Sequence, residues 1–462
     1  VALEDRVIDS GVIARSSDEP RAQRSDPIDH RLATEYQLAL ERRAREQRAR
    51  ARRRRRMRVR RNRTIAGVIA TVLAAGVWAV VTSDRPSPRP SHGAKSSVLI
   101  AHFRPARRSS FTVPGRLRTL PWKGQGAVAV VGAGVMSASP GQVSAPIASL
   151  TKMMTAYVIL HDHPLGRGDE GPSFTMGARD VAAWVQASSS GLSNLPVAAG
   201  EVLSEHQLLE ALLLPSADNI ADYLAVWDAG SVARFVAKMN ATAAALGLSE
   251  THYADASGVN PMSRSDAVDQ ARLAAIVMSD PVVRGIVSHR ALPFQVAGTI
   301  RNVNPALGVD GIVGVKSGYT AHAHGCLVTA AYEKVHGRSV LLIAVTLGQR
   351  DGLWGAATVD EHLTVAAAKQ LVAFSPARTG TSLGDVAVGG SPAVPVVLSG
   401  PTPVVIGWPG LRYRESLSLS PGVASGAVAV TRASTLGRVI WSTSAGVLEE
   451  APITSALTTS SN

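Results

Sequence analysis

The chain has 462 residues, 45% of them hydrophobic and 4% aromatic, with a formal net charge of +13. That length exceeds a single compact domain and predicts two or three globular units. One cysteine, Cys326, excludes an intrachain disulfide and any all-cysteine metal site.

Residues 1–40 are polar and charged without a helical or strand period, the pattern of a disordered arm, with a candidate short helix near Tyr36 to Arg50. Most of the cationic excess then falls in one run, residues 41–63 (ERRAREQRARARRRRRMRVRRNR), so no basic groove across a folded domain is implied. Residues 64–82, TIAGVIATVLAAGVWAVVT, carry no charge, and their ~19 residues suit a bilayer core. A signal-peptide core is shorter, ~7–15 residues, and ends in a small-residue cleavage site that is not evident here. The expectation is a single uncleaved transmembrane helix in the cell membrane. The arginines before it hold the N-terminus in the cytoplasm, and everything after Thr82 is extracytoplasmic. Those arginines suit stop-transfer and anionic lipid, and no specific nucleic acid is expected.

Residues 83–118, with DRPSPRPSHGAKSS from Asp84 to Ser97, read as an extended linker. The globular pattern begins near Leu120. GAVAVV (Gly126 to Val131) predicts a buried strand, and Ser149 to Leu160 a buried helix. From there to about Asp280 the pattern is mostly helical, with a capping box at Ser204-x-x-Gln207 and a helix stop at Pro215. CLVTAAYE and RSVLLIAVTL, joined by a turn at Lys334 to Gly337, predict a β-hairpin, and DEHLTVAAAKQLVAF a helix. Beyond Phe374, AVPVVL, PVVIGW, RESLSLS, AVAV and GRVIW read as short strands between Gly/Pro turns. The expected fold class is α/β: an antiparallel sheet with flanking helices and a helical subdomain over residues 119–378. A small C-terminal all-β domain and tail occupy residues 379–462.

Three motifs carry chemistry. In PIASLTKMMTA, Ser149 and Lys152 lie three apart on a helix, so hydroxyl and amine share a face. An amine among Ile147, Met153, Met154 and Tyr157 is partly desolvated, which favours its neutral, proton-accepting form. In LLLPSADNIAD, Ser216 faces the nucleophile and relays a proton between Lys152 and a leaving amine; a plain helix cap is the alternative. In GVKSGYT, Lys316 and Ser317 offer a dock for a substrate carboxylate, and Gly318 a surface free of side chain. The Tyr319 amide pairs with that of Ser149 as an oxyanion hole.

Ser-x-x-Lys, Ser-x-[Asn/Asp] and Lys-Ser-Gly in this order form the signature of penicillin-recognising serine acyl-transferases. With ADASGVNP and the AHGCL that follows the third motif, residues 120–375 resemble the D-alanyl-D-alanine carboxypeptidases, the low-molecular-mass penicillin-binding proteins, of actinobacterial type. The resemblance implies a β-lactamase/transpeptidase-like fold and a Ser149 acyl-enzyme formed on a peptidoglycan stem peptide. It implies inhibition by β-lactam antibiotics, and neither metal nor organic cofactor. One position departs from the pattern. Asp218 stands where the family usually has asparagine, and a carboxylate cannot donate an amide hydrogen bond. Either Asn219 substitutes, or Asp218 is tolerated, or activity is reduced. A β-lactamase of the same fold is the nearest rival, but no deacylating Glu-x-x-Leu-Asn-like string is present. A catalytically weakened wall-binding homologue is the other. His161-Asp162-His163 falls at a helix end, where histidines suit the dipole, and Cys326 reads as a buried apolar residue.

Overall fold

The computed structural model describes residues 101–105, 109–388, 393–424 and 434–456, all within one compact unit. The expected arm, arginine run, membrane helix and the AVAV strand lie outside the described residues. Among the described residues no helix is long and apolar enough to cross a membrane.

The expected linker needs correction at its C-terminal end. Ala101–Pro105 (β1) and Ser110–Thr112 (β2) are strands at opposite edges of a seven-stranded sheet. Phe111 stacks on Tyr413, ring centroids 5.5 Å apart, so the apolar residue of a polar stretch finds its partner ~300 residues on.

Next come Gln125–Val130 (β3) and Gly134–Ala138 (β4), then a 3-10 turn at Ala148–Thr151 that runs into Lys152–Asp162 (α1). The helical middle holds Ala178–Ser189 (α2), Glu205–Leu213 (α3), Asp218–Ala229 (α4), Val232–Ala245 (α5), Ala267–Val277 (α6) and Pro281–Val287 (α7). The capping box expected at α3 is present: Ser204 Oγ accepts from Gln207 N at 3.1 Å, and Gln207 Oε1 from Ser204 N at 3.0 Å. Ile312–Thr320 (β5), His324–Val335 (β6) and Arg338–Gln349 (β7) follow, the last two forming the expected hairpin.

These strands form a five-stranded antiparallel sheet in the order β5-β6-β7-β3-β4. Successive strand residues face opposite sides. Ala127, Ala129, Val328, Ile343 and Val345 join the core under α1 and the helical middle, whereas Val128, Val130, Leu342 and Ala344 join a second core. A strand apolar at every position is what a sheet covered on both faces requires.

Gly352–Ala368 (α8) covers the second face. It starts eight residues before the predicted helix, because small residues such as Ala356 and Ala357 pack on Leu327 and Ala331 without a strong apolar stripe. It also stops earlier. Gln370 exchanges hydrogen bonds with the backbone of Arg118, and Val372–Phe374 becomes a short strand against Val405–Gly407. Ser382–Val388 (β8), Val394–Leu398 (β9), Arg412–Leu419 (β10), Thr435–Thr443 (β11) and Gly446–Ser455 (β12) complete the seven-stranded sheet, order β1-β8-β9-β12-β11-β10-β2. Trp441, Val439 and Ile453 of that sheet share the second core with α8.

Candidate active site

The site forms where the start of α1, the start of α4 and strand β5 converge. The chain enters α1 through Ala148 at φ 48°, a left-handed conformation that presents Ser149 on the turn ahead of the helix. Gly258 (φ +88°) makes room for this turn, since a β-carbon there would stand 1.8 Å from Ala148 O.

Lys152 is fully buried. Its Nζ donates to Ser149 Oγ at 2.9 Å, to Asp218 Oδ1 at 2.5 Å and to the carbonyl of Ser257 at 2.8 Å. The helix spacing expected to join hydroxyl and amine does so. The apolar neighbours are present too, but the amine is not simply desolvated, because a carboxylate and a carbonyl also hold it.

Ser257 lies in the ADASGVNP segment, outside the three motifs that mark the site in sequence. Asp255 orders that loop: Oδ2 accepts from Ser257 Oγ at 2.9 Å, Gly258 N at 2.9 Å and Asn260 N at 3.1 Å, and Oδ1 from Ser263 Oγ. Thr155 Oγ1 on α1 donates to Ala256 O at 2.6 Å, tying the loop to the helix. An aspartate followed by Ser, Gly and Asn is turn chemistry legible in sequence. That the turn delivers a carbonyl to Lys152 is not.

Ser216 lies just before α4 in a left-handed conformation, φ 67°, and its Oγ is buried without a hydrogen-bond partner among the described residues. Asp218 opens the helix and turns its carboxylate to Lys152. Asn219 does not substitute for it. Its side chain accepts from Leu195 N at 2.9 Å and donates to Leu195 O at 3.1 Å, so the amide pins a neighbouring loop instead of lining the cleft.

The opposite wall is β5. Lys316 is 1% exposed, and its Nζ donates to Ser317 O at 3.0 Å. Burial, reinforced by the charge of Lys152, holds this amine well below the ordinary lysine range, and Asp218 pulls the other way. Ser317 Oγ donates to Val303 O at 3.3 Å. Gly318 packs against the Ser149 backbone, while the Tyr319 side chain is 57% exposed. Ser149, Lys152 and Asp218 are thus directly linked, Gly318 packs on the Ser149 backbone, and the Lys316 amine feels the charges of Lys152 and Asp218.

The remaining candidates stand apart. His163 Nε2 lies 3.0 Å from Asp228 Oδ1 and its ring stacks on Trp227 at 4.0 Å. Among the described residues no His/Cys/Asp/Glu group is arranged to hold a metal. Cys326 is buried, and burial pushes its thiol up to about 12, out of the nucleophile range.

The sequence model of the D-alanyl-D-alanine carboxypeptidase family matches residues 131–351. D-alanyl-D-alanine carboxypeptidase DacA of Escherichia coli K12 is 32% identical over 212 residues, 44% of this chain and 50% of DacA. D-alanyl-D-alanine carboxypeptidase DacB2 of Mycobacterium tuberculosis is 31% identical over 221 residues, 46% of this chain and 70% of DacB2. The chain therefore spans about half the length of curated relatives such as DacA. A solved structure of penicillin binding protein 5 from Haemophilus influenzae shares the fold over 74% of this chain and 98% of that one, with a TM-score of 0.53 at 19% identity.

Proposed function

Because the chain belongs to the D-alanyl-D-alanine carboxypeptidase family, we propose that it removes the terminal D-alanine from peptidoglycan stem peptides through an acyl-enzyme on Ser149. The observation that carries this reading is the 2.9 Å contact between Ser149 Oγ and a wholly buried Lys152 Nζ at the mouth of a helix. A serine hydroxyl is a weak nucleophile until a base takes its proton, and here the base is in reach.

Ser149 Oγ attacks the penultimate D-alanine carbonyl as its proton passes to Lys152. The negative charge that develops on the carbonyl oxygen meets the amides of Ser149 and Tyr319. The terminal carboxylate docks at Lys316 and Ser317. Ser216, whose buried hydroxyl has no hydrogen-bond partner among the described residues, carries a proton from Lys152 to the departing amine. Water then hydrolyses the ester. A penicillin follows the same first step and stays on Ser149.

Mass spectrometry of the protein after penicillin treatment tests this. The Ser149 peptide gains one penicillin, and Ser149→Ala gains none. Failure of the wild type to acquire the adduct would reject the enzyme.

A single membrane anchor at residues 64–82, with the amino end cytoplasmic, belongs to the same proposal. An uncharged run directly after an arginine-rich one supports it. Protease added to whole cells should degrade the catalytic unit and spare residues 1–63. Protection of both parts would reject the anchor's orientation.

A further inference from the structure

Resting on the acyl-transfer reading above, we propose that Asp218 completes a Ser149–Lys152–Asp218 relay, in which the proton leaving Ser149 is accommodated on the Asp218 carboxylate by way of Lys152. Asp218 acts through Lys152 and is therefore a positioning and proton-holding residue.

Three observations carry this. First, Lys152 Nζ has three acceptors around it, Ser149 Oγ, Asp218 Oδ1 and Ser257 O, and no exposure to water. Asp218 Oδ1 and Ser257 O can only accept, so they engage two N–H bonds, while the Ser149 hydroxyl accepts from an ammonium or donates to a neutral amine. As the ammonium, Nζ takes up the serine proton only by giving one away. Second, Asp218 is the one acceptor of the three placed to take it: Ser149 is the proton's source, and an amide carbonyl is a very weak base. Lys152 and Asp218 are in direct contact, Nζ to Oδ1 2.5 Å. Third, the neighbouring amide is engaged elsewhere. Asn219 spends both ends of its side chain on Leu195, so beside the Ser216 hydroxyl the second motif offers the site a carboxylate and no amide.

The step balances. The Ser149 O–H bond breaks, and its electron pair forms the new C–O bond to the substrate carbonyl while the carbonyl π pair moves to oxygen. The serine proton forms an N–H bond on Lys152 as another Lys152 proton moves to Asp218 Oδ1. When the amine departs, the proton returns through Lys152 and Ser216 to the leaving nitrogen, and Asp218 is again a carboxylate. An asparagine here accepts a hydrogen bond from the lysine but cannot take its proton.

Two other charged groups act on the pair. Lys316 on β5 favours the Asp218 carboxylate, whereas Asp222, one turn further along α4 and itself repelled by Asp255 in the loop, disfavours added negative charge.

The test is the second-order rate of labelling by a fluorescent penicillin between pH 5 and 9 in the wild type, Asp218→Asn and Asp218→Glu. In Asp218→Asn the lysine has to lose its proton to solvent before it can act. The acid limb of the profile should move up by at least about one pH unit, lowering the rate at pH 6.5 by about tenfold or more and converging on the wild type near pH 9. Asp218→Glu, which keeps a carboxylate, should hold the wild-type limb. A superimposable Asp218→Asn profile would overturn the relay, and so would a faster one at neutral pH, the result expected if Asp218 only trapped Lys152. If Asp218→Asn fails to fold, an Asp218→Glu limb displaced to higher pH overturns it equally. A wild type unlabelled at every pH would instead reject the acyl-transfer reading itself.

Discussion

Gly318 of β5 and Ser149 are in backbone contact across the cleft: a β-carbon on Gly318 would stand 2.9 Å from the Ser149 amide nitrogen and 3.1 Å from Ile147 O. Both opposing atoms belong to the main chain, so neither can swing aside as a flexible side chain would. The same closeness brings the neighbouring Tyr319 segment beside the nucleophile. Gly318→Ala should therefore push the two walls apart and cut penicillin labelling by about a hundredfold, in line with the cost of a misplaced catalytic group. Stopped-flow labelling reads the rate, and an unchanged value would show that the walls do not need to touch.

Ser216 combines a functional position with a thermodynamic cost. Its buried hydroxyl has no partner among the described residues, and such a group costs the fold roughly 1–3 kcal/mol. Alanine relieves that cost and accepts the same backbone. Ser216→Ala should melt higher than the wild type and acylate about 10²-fold more slowly, the lower range for loss of a proton-transfer group. Thermal melts and labelling kinetics measure both. A lower melting temperature with full activity would remove Ser216 from the relay.

Lys316 has a signed pH signature. Its amine is held well below the ordinary 10.5 in the folded chain. Between that lowered value and 10.5 the unfolded chain binds the proton that the folded chain has released, so stability rises as pH climbs through this window. Lys316→Met should remove the rise, stabilise the protein at neutral pH by about 1–3 kcal/mol and abolish penicillin labelling. Urea unfolding at several pH values gives the first two quantities. A less stable Lys316→Met at neutral pH would contradict the burial cost.

Asp360 slopes the other way. It is fully buried between α8 and the sheet, accepting from Thr329 Oγ1 at 3.3 Å and from Thr346 Oγ1, and burial pushes its carboxyl up to about 8 from 3.8. Between those values the folded chain holds the proton and the unfolded chain does not. Stability is accordingly full below pH 3.8 and falls as pH rises toward 8, by at most about 1.4 kcal/mol per unit. Asp360→Asn, neutral throughout, should flatten this slope. An identical slope in the variant would show that the carboxyl ionises freely in the fold.

The amino-acid order alone revealed the three motifs, the buried β-hairpin, the α3 capping box and the apolar helix that follows Ser149. Each is local: hydrophobic period, cap chemistry and helical spacing act within a few residues, so they are written where they operate. The choice between Asp218 and Asn219 is of another kind. Neighbouring helix residues point about 100° apart, and burial of Ile220, Ala221, Leu224 and Ala225 sets the phase that aims one at Lys152 and the other at Leu195. Likewise β1 and β2 become strands only because distant edges accept them, and Ser257 reaches Lys152 only because Asp255 shapes the loop between. Contacts across tens to hundreds of residues depend on how elements pack, and no local period encodes that.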